Sequence, residues 1–407
     1  MQATAPRHER TMDAVLYNKH VPCAAVRMSG DGDHAEEILS VYHREALPLI
    51  LMRPMENRWQ RPDKALKELN QWMRKRRVPQ DRDGLSGALR ICPDLLADQH
   101  QFSLTDPYWF QVSASDRWET GNFFDKRYDP VPGTFLFTPW AVEDLTRVHC
   151  PSPDRTTNGV LRKHWTQPYG GPDTRSVLIK AGSLRKSRQS PVSEVLASMA
   201  LERMHIVPFV RYDLVVDGLM FCSRCANFIT ADTEFVPASH VYNQAARHPG
   251  DSIYDHLIRV CRRAGIANAE DCLSAMIAAD SIIGNNDRHL GNFGFLRQAE
   301  TGTIIGFAPL FDFGFAFCTS PAAEGQGGRK PIWTDDEILN ARRKTCAGLE
   351  EDRDFDTTDL YRFLREVPDL SKEERFYLFR QVAQVQESWR RMLRMGNAKV
   401  DRSIGAR

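Results

Sequence analysis

Asp287, Asn292 and Asp312 have the residue types and the spacing of a phosphoryl-transfer site. The first two lie in Gly284-Asn-Asn-Asp-Arg-His-Leu-Gly-Asn292, and the third lies in Asp312-Phe-Gly314 after a predicted hairpin. An aspartate can accept the proton of an attacking hydroxyl, while an asparagine and a second aspartate offer the hard oxygen ligands that magnesium prefers. Each piece alone could be turn chemistry or chance, but their order favours a catalytic segment.

A lysine at the end of an apolar strand is the second candidate. Lys180 follows Val177-Leu-Ile, so its ammonium group leaves a buried strand at a point where a charge needs a partner. In a nucleotide site that partner is a phosphate, and a glutamate on a helix orients the amine. Glu194 stands in the first turn of the next predicted helix, which opens at Ser190-Pro191. The alternative is an exposed lysine and a glutamate that stabilises a helix N-terminus.

The polar segment Ser152-Pro-Asp-Arg-Thr-Thr-Asn-Gly159 is a weaker candidate. Its backbone amides and hydroxyls, including those of Ser152 and Thr157, could cover phosphates, with Gly159 at the end of the loop. The segment matches neither a Walker A motif nor GxGxxG. Without the other candidates it would be interpreted as an ordinary loop.

The elements predicted around these residues change in character along the chain. Ala14 to Met28 favours two strands around a turn, and Pro62 to Arg77 carries the apolar stripe of a helix. A small, mostly antiparallel sheet with one helix follows, and from about Thr230 the pattern becomes helical. We therefore predict an α+β protein in four regions: a flexible leader at 1–12, an α/β extension at 13–145, a small sheet-containing lobe at 146–229 and a helical lobe at 230–407.

Two local patterns in the extension receive structural interpretations. The basic run Arg74-Lys75-Arg76-Arg77 is typical of a solvated helix C-terminus, where cations are favoured, more than of a phosphate-binding patch. The aromatic-rich segment between Asp106 and Thr138 is predicted to be core packing.

Composition excludes several classes of protein. The 407 residues include 54 Lys and Arg against 53 Asp and Glu, so the net charge of +1 gives no basic footprint for direct nucleic-acid binding. The apolar runs are too short to span a membrane, and the first residues lack the apolar core of a signal peptide. We expect a cytoplasmic protein, although secretion is not excluded. Cys222 and Cys225 form a CxxC without a second ligand pair, which favours thiols over zinc.

Motifs spread along the chain resemble those of the HipA-like serine/threonine kinases. The resemblance covers most of the sequence beyond residue 12, and it is greatest to the subgroup with an extra N-terminal region. The motifs that carry it are Ser103-Leu-Thr-Asp-Pro-Tyr-Trp109, Asn122-Phe-Phe-Asp125, Ser152-Pro-Asp, Leu178-Ile-Lys180-Ala-Gly-Ser183, Asp232-Thr-Glu234, Asn286-Asp-Arg-His289, Asn292-Phe-Gly294 and Ala308-Pro-Leu-Phe-Asp312.

This resemblance implies a two-lobed protein-kinase-like fold of the phosphoinositide-kinase type, with ATP and Mg²⁺ between the lobes. It implies that Lys180 contacts the ATP phosphates, that Asp287 is the catalytic base, and that Asn292 and Asp312 bind magnesium. It also implies a protein kinase that phosphorylates itself, and a bacterial toxin–antitoxin or phage-defence setting with an antitoxin or regulatory partner protein.

Further residue roles follow from the same resemblance. The segment Cys225-Ala-Asn-Phe228 is similar to the adenine-binding hinge, where backbone groups of Ala226 and Phe228 would contact the base. Ser152 lies near the loop serine that the family phosphorylates. The family commonly has Q-E-P-x-N-E before the helix, whereas this chain has Gln189-Ser-Pro-Val-Ser-Glu194. One acid and one amide are therefore replaced, which alters the expected contacts of the phosphate loop, but Glu194 is kept.

Two other functions remain open at this stage. A phosphoinositide or small-molecule kinase would share the Asp287 to Asp312 pattern, although no basic membrane face or amphipathic anchor is evident. A catalytically silent nucleotide-binding module that holds a partner is the second alternative. Intact Lys180, Asp287, Asn292 and Asp312 argue against it, because a binding module has no need of a catalytic base.

Overall fold

The computed structural model describes residues 11–168, 175–182, 190–317, 331–347, 349–350, 355–368 and 370–397. Antiparallel strand pairs and numerous helices confirm the predicted α+β class. The chain divides into two compact units. The first contains the residues up to Lys180 together with Ala226–Val236 and Leu296–Ile304, and the second contains Ala181–Cys225, Pro237–Phe295 and the residues from Ile305 onward.

The first unit begins with an antiparallel sheet in the order β3-β2-β1-β4. Its strands are β1 (Thr11–Asn18), β2 (Val21–Ser29), β3 (Ala35–Val41) and β4 (Tyr108–Gln111). Helices α1 (Leu49–Glu56) and α2 (Pro62–Arg76) contribute Met55, Leu69 and Met73 to the core on this sheet. The predicted leader is wrong at its end, because Thr11 and Met12 already pair with Ser29 and Met28. Residues 1–10 lie outside the described residues.

The rest of the first unit connects this sheet to a short strand pair. The connecting helices are α3 (Leu85–Ile91), α4 (Trp118–Gly121) and α5 (Val131–Phe137), and the strands are β5 (Lys163–Thr166) and β6 (Val177–Ala181). The predicted aromatic packing is confirmed. A buried cluster contains Phe102, Leu104, Trp109, Trp118, Phe123 and Trp165.

The basic run that ends α2 is only partly solvated, which corrects the sequence interpretation. The Arg76 side chain is buried and donates two hydrogen bonds to the Asp106 carboxylate, at 2.9 and 2.8 Å. It also donates to the carbonyls of Gln101 and Tyr108. A carboxylate far away in sequence therefore determines the position of this cation, and the local sequence pattern contains no sign of it.

The second unit opens with helix α6 (Ser190–Met204), which begins where the Ser-Pro pair predicted it. The hairpin of β7 (Asp213–Asp217) and β8 (Met220–Ala226) follows, and its turn residues Gly218 and Leu219 both have positive φ, as a two-residue hairpin turn requires. The helices that follow are α7 (Ala238–Tyr242), α8 (Ile253–Arg263), α9 (Ala269–Ile283), α10 (Asp335–Cys346), α11 (Thr358–Glu366) and α12 (Lys372–Asn397).

Three more strands form a sheet in the order β11-β10-β9, and each contributes residues to both units. They are β9 (Thr233–Pro237), β10 (Gly294–Gln298) and β11 (Ile304–Phe307). The β10–β11 hairpin was predicted, whereas β9 lies where the sequence indicated helix. Pairing with β10 overrides the weak local preference of this segment.

The units divide the chain differently from the boundaries predicted at 145 and 229. Hydrogen bonds hold Ala226–Val236 and Leu296–Ile304 in the first unit, although both segments come later in the sequence than Lys180. The Phe235 amide donates to the Thr105 carbonyl, the Asn227 amide donates to the Ser176 carbonyl, and Asn18 Nδ2 donates to the Ala299 carbonyl. Such long-range backbone pairing is invisible in the local composition on which the predicted boundaries rested. Within the part of the chain that the structure describes, none of the helices has the length and apolar character that crossing a membrane requires.

Candidate active site

Helix α9 carries the candidate catalytic segment at its C-terminal end. The helix ends at Gly284, which has a φ of +67° and donates its amide to the Asp280 carbonyl. This left-handed termination is inexpensive for glycine, and it turns the chain sharply into the segment 285–292. Asp280, in the last turn of α9, is itself buried. The helix thus places a buried carboxylate directly beneath the segment.

Arg288 uses that carboxylate to join two loops of the second unit. Its guanidinium donates to both Asp280 oxygens, at 2.8 and 3.0 Å, and the two side chains are only 2% and 5% exposed. It also donates from Nη1 to the backbone carbonyls of Asn292 and Phe311, each at 2.6 Å. Burial alone would lower the pKa of Arg288, but the Asp280 carboxylate raises it above the usual range, so the guanidinium stays charged. One side chain therefore fixes the backbone next to Asp312 and at Asn292.

The segment itself is tightly turned around Asp287. Asn292 Nδ2 donates to the Asp287 carbonyl at 3.1 Å, and the Asn292 amide donates to the His289 carbonyl at 2.8 Å. His289 Nδ1 accepts from the Gly291 amide, so this side chain holds the turn of the segment. Because Nδ2 of the Asn292 side chain donates a hydrogen bond, Oδ1 of the same side chain is the atom suited to bind a cation. The Asp287 side chain is half-buried.

Asp312 has a strained backbone at the point where its carboxylate would act. Its φ is +60°, a left-handed conformation that a non-glycine residue adopts at some cost, although aspartate tolerates it better than most. The Asp312 amide donates a hydrogen bond to the Tyr212 hydroxyl at 3.2 Å. The next residue, Phe313, is fully buried and lies 5.3 Å from the Arg288 guanidinium. The hydrogen bond of the Asp312 amide and the buried Phe313 ring thus hold the strained conformation.

Glu194 lies next to the glycine that follows Phe313. The Glu194 side chain is fully buried on α6 and accepts a hydrogen bond from the Ser223 hydroxyl of β8. A Cβ atom added to Gly314 would collide with Ser190 Oγ and would lie 3.9 Å from Glu194 Oε1. The second unit therefore brings Glu194 together with the Asp312-Phe-Gly314 motif.

Lys180 belongs to the first unit, where it ends the antiparallel pair of β5 and β6. It is buried, and its register partner is Lys163, so the two side chains leave the same face of the strand pair. A Cβ atom added to Gly159, whose φ is +106°, would collide with Lys163 Nζ. Two lysines therefore lie on one face here, and the backbone at Gly159 approaches one of them closely. Two like charges on one face suit an anionic ligand.

The loop that carries Ser152 and Thr157 is internally bonded. Ser152 Oγ donates to Asp154 Oδ2 at 2.9 Å and accepts from the Asp154 amide, and the side chain is 1% exposed. Thr157 Oγ1 donates to the Pro153 carbonyl and accepts from Trp165 Nε1 at 2.9 Å. Burial raises the pKa of Asp154. Both hydroxyls are thus occupied inside the first unit, and their contact with phosphates stays a prediction.

The candidate hinge is anchored by a residue that the sequence did not single out. Ala226 is exposed at the end of β8, and Phe228 is half-buried, with its ring 6.1 Å from that of Phe235. Between them, Asn227 donates from Nδ2 to the Leu104 carbonyl at 2.9 Å and accepts from the Ile229 amide. The hinge backbone is therefore tied to the Ser103–Trp109 motif.

The N-terminal motifs have structural explanations. Asp106 accepts from Arg76 and from the Tyr108 amide, and Tyr108 donates its hydroxyl to Glu234 Oε1 at 3.3 Å. In the second motif, Asn122 Oδ1 accepts from the amides of Phe124 and Asp125. The hydrogen bonds of these polar residues stabilise turns and buried contacts of the first unit, so the motifs contribute to the fold of that unit.

Sequence reasoning missed Arg288 and Asp280 as positioning residues. One signal was present, because Asp280 is an acidic residue on the apolar stripe of a helix, where a carboxylate needs a buried partner. Helical spacing alone could not identify that partner as Arg288, since the chain between them leaves the helix.

The comparisons with known proteins come from sequence and from structure. No protein-family model matches the chain. Over 67 residues it is 45% identical to the serine/threonine-protein kinase CtkA of Helicobacter pylori, a match that spans 16% of this chain and about a fifth (19%) of that kinase.

Two solved structures are also similar. The crystal structure of the proinflammatory kinase CtkA of Helicobacter pylori has 15% identity and a TM-score of 0.43, covering 59% of this chain and 95% of that one. HipA of Shewanella oneidensis MR-1, in a complex with HipB and operator DNA, has 10% identity and a TM-score of 0.49, covering 94% of this chain and 99% of that one. Together with the motifs along the sequence, the 67-residue match relates this chain to the HipA-like serine/threonine kinases.

Proposed function

We propose that this chain is an ATP- and magnesium-dependent protein serine/threonine kinase of the HipA-like type. The observation that carries the proposal is the clamp in the second unit, where Arg288 holds the backbone of Asn292 and of Phe311 against the buried Asp280. Phosphoryl transfer depends mainly on positioning and electrostatic stabilisation, so a rigid frame beneath the reacting groups is what such an enzyme needs.

In the proposed reaction, Asp287 accepts the proton of a substrate serine or threonine hydroxyl. The hydroxyl oxygen forms a bond to the γ-phosphorus of ATP as the bond from that phosphorus to the β,γ-bridging oxygen breaks, and ADP leaves with the electron pair. Asp287 suits the base role because its backbone carbonyl is held by Asn292 Nδ2, which fixes the start of the segment.

Asn292 and Asp312 are proposed to hold Mg²⁺. Their donor atoms fit the ion, because an amide oxygen and a carboxylate are the hard ligands that magnesium prefers. When bound, the ion would neutralise charge on the β- and γ-phosphates. The left-handed backbone of Asp312 sets the direction in which its carboxylate leaves the chain.

The nucleotide itself is proposed to contact the residues that the family resemblance assigns to it. Lys180 would bind phosphates, with Glu194 orienting its amine, while Ser152, Thr157 and Gly159 would form the covering loop. Backbone groups of Ala226 and Phe228 would contact adenine. Support comes from the buried Glu194, from the Lys163–Lys180 register pair, and from the hinge that Asn227 anchors.

The decisive experiment compares phosphate transfer from γ-labelled ATP by the wild type and by Asp287→Asn. We expect the variant to lose at least about 100-fold in rate, the usual contribution of a general base. Asp336→Asn makes the same chemical change at an exposed position in the second unit and should retain the rate. Protein acceptors and phosphatidylinositol vesicles are assayed in parallel to separate a protein kinase from a lipid kinase. Equal rates for Asp287→Asn and the wild type would contradict the proposal.

Self-phosphorylation of Ser152 is a finer part of the proposal. Because the hydroxyl is buried against Asp154, a phosphate of roughly −1.5 to −2 charges there would repel the carboxylate and expel the loop. Peptide mass spectrometry after incubation with ATP and Mg²⁺ tests this, with Asp287→Asn as the blank. A wild type that phosphorylates an added substrate without gaining mass between residues 150 and 163 would contradict it.

A protein partner of the antitoxin kind is proposed from the family resemblance. The HipA structure contains HipB and operator DNA. For this chain, with a net charge of +1, we propose contact with a partner protein and no direct contact with nucleic acid. Chemical crosslinking in the native host, followed by purification of the chain, would identify the partner, and recovery of nucleic acid alone would contradict the proposal.

A further inference from the structure

Cys92, Asp94 and His149 bring a sulfur, an oxygen and a nitrogen together in the first unit. Cys92 Sγ lies 3.4 Å from Asp94 Oδ1 and 3.6 Å from His149 Nε2, and the three ligating atoms all lie within 4.8 Å of one another. This group is far in sequence from the Cys222–Cys225 pair, which is the pattern that spacing alone would offer as a zinc site. It also contains none of the residues assigned to phosphoryl transfer.

The separations of Cys92 Sγ from its two neighbours fit a tetrahedral zinc ion. With Zn–S near 2.3 Å and Zn–N or Zn–O near 2.1 Å, tetrahedral angles place sulfur about 3.6 Å from each of the other two ligands. The Cys92 separations of 3.4 and 3.6 Å already have these values. The remaining separation, between Asp94 oxygen and His149 nitrogen, must close towards about 3.4 Å. Both of these side chains are exposed and can make that adjustment.

The two segments that carry these residues are held together independently of any ion. Cys92 follows α3, and its amide donates to the Ala88 carbonyl, while His149 ends a 3-10 helix at Leu145–His149. The buried Arg155 donates from Nε to the Leu95 carbonyl and from Nη2 to the Val148 carbonyl, at 2.9 and 3.0 Å. One guanidinium therefore fixes the residue beside Asp94 and the residue beside His149. The site is organised in advance, which lowers the cost of binding an ion.

We propose that Cys92, Asp94 and His149 form a zinc-binding site in the first unit. Among the described residues, no further cysteine, histidine or carboxylate joins the group as a fourth ligand. Water would therefore take the fourth position on the ion. On binding, the Cys92 thiol proton passes to solvent and the sulfur lone pair forms the bond to zinc. His149 also lines a cavity of about 890 Å³ in the same unit, so the bound ion would stand at its rim.

Hydrogen bonds connect the Cys92 thiol to both of its neighbours in the group. Burial, and after it the hydrogen bond to Asp94, raises the pKa of Cys92, while Arg155 opposes the shift. A soft dication that replaces the thiol proton would convert these hydrogen bonds into coordination bonds.

Competition of zinc chloride with a chromophoric chelator tests the proposal on the full chain after removal of bound metal. We expect one zinc ion per chain, a rise in melting temperature with zinc by mass action, and a thiolate-to-metal charge-transfer band when cobalt(II) replaces zinc. His149→Ala should lose stoichiometric binding and the melting shift. Since His149 is exposed, that variant should fold. Cys92→Ser should also lose the charge-transfer band.

Two matched variants control for these changes. Cys150→Ser alters a neighbouring thiol outside the group, and His20→Ala alters another exposed histidine of the same unit, so both should bind zinc as the wild type does. A wild type that binds no zinc would overturn the proposal. Binding that is equal in the wild type, His149→Ala and Cys92→Ser would overturn it as well. Phosphate transfer is not a readout here, so failure of the zinc site leaves the kinase proposal unaffected.

Discussion

Each unit contains a buried arginine paired with a buried carboxylate, but the two pairs hold different parts of the chain. In the second unit, Arg288 and Asp280 hold the carbonyls of Asn292 and Phe311, which flank candidate catalytic residues. In the first unit, Arg297 pairs with Glu234 at 2.7 Å. Its other acceptors are the carbonyls of Glu45, Leu47 and Gly302 and the Tyr108 hydroxyl.

The comparison shows that the same kind of buried arginine–carboxylate pair can hold either connecting segments or candidate catalytic loops. A buried ion pair contributes little net stability over an apolar pair of similar shape, because desolvation offsets the attraction. Its distinctive property is that the spare donors of the guanidinium can fix several carbonyls at once. Around Arg297 these carbonyls belong to connecting segments, whereas around Arg288 they belong to loops that would touch nucleotide. Loss of Arg288 should therefore affect catalysis, while loss of Arg297 should affect folding alone.

The largest expected effect is that of Arg288→Met. Removing one partner of a buried pair should cost about 3–5 kcal/mol of unfolding free energy, and displacement of the loops should lower phosphate transfer by at least about 100-fold. The double variant Asp280→Leu/Arg288→Met should recover most of the stability without the activity, because the carbonyl contacts are still absent. Urea unfolding and labelled-phosphate transfer measure the two effects. Recovery of activity in the double variant would show that Arg288 only balances the charge of Asp280.

Arg297→Met is the counterpart in the first unit. It should cost about the same 3–5 kcal/mol, since Glu234 is left buried without its cation. Turnover per folded molecule should stay within a few-fold of wild type, and Glu234→Leu/Arg297→Met should restore stability. The measurement is again urea unfolding beside activity that is normalised to the folded fraction. If turnover falls as far as in Arg288→Met, the contrast between the two arginines is lost.

Gly314→Ala should have an intermediate effect. Its methyl group would collide with Ser190 Oγ next to Glu194, and overpacking of this kind typically costs about 1–3 kcal/mol. Activity should fall because the Asp312-Phe-Gly314 motif is pushed away from α6. Adding Ser190→Ala removes the colliding oxygen and leaves Ser190 Cβ at 3.5 Å, so the double variant should regain stability and activity. Thermal unfolding and phosphate transfer of both variants test this, and an unrescued double variant would refute the steric explanation.

The smallest expected effect concerns Asp154, a buried carboxylate of the first unit held by Ser152 and by the Trp165 amide. Burial raises the pKa of Asp154, so the native state binds a proton more tightly than the unfolded chain does. The stability that this provides is complete below the usual pKa of aspartate and is lost as pH rises towards the native value. Asp154→Asn should remove that pH dependence. Unfolding free energies of the two proteins should therefore separate as pH rises from 4 to 7, with the wild type losing stability relative to the variant, and parallel profiles would disprove the assignment.

The sequence alone determined much of the local structure. Several local features follow from residue type at fixed positions. They are the turn at Gly284, the start of α6 at Ser190, the β7–β8 turn and the capping box that opens α12. Such signals act over a few residues, so they survive whatever the rest of the chain does. The aspartate, asparagine and aspartate of the candidate site were also visible in order and spacing.

Only the tertiary structure decided which polar groups are buried together. Arg76 looked like a solvated helix end, and its partner Asp106 is 30 residues away. The segment after Thr230 looked helical, yet pairing with β10 made it a strand. No local pattern indicated that Arg288 would pair with Asp280 or that Cys92 would meet His149, because these partners come from other turns of the chain. Burial makes a charge or a thiol depend on the few atoms that it touches, and those atoms are chosen by the fold rather than by sequence neighbours.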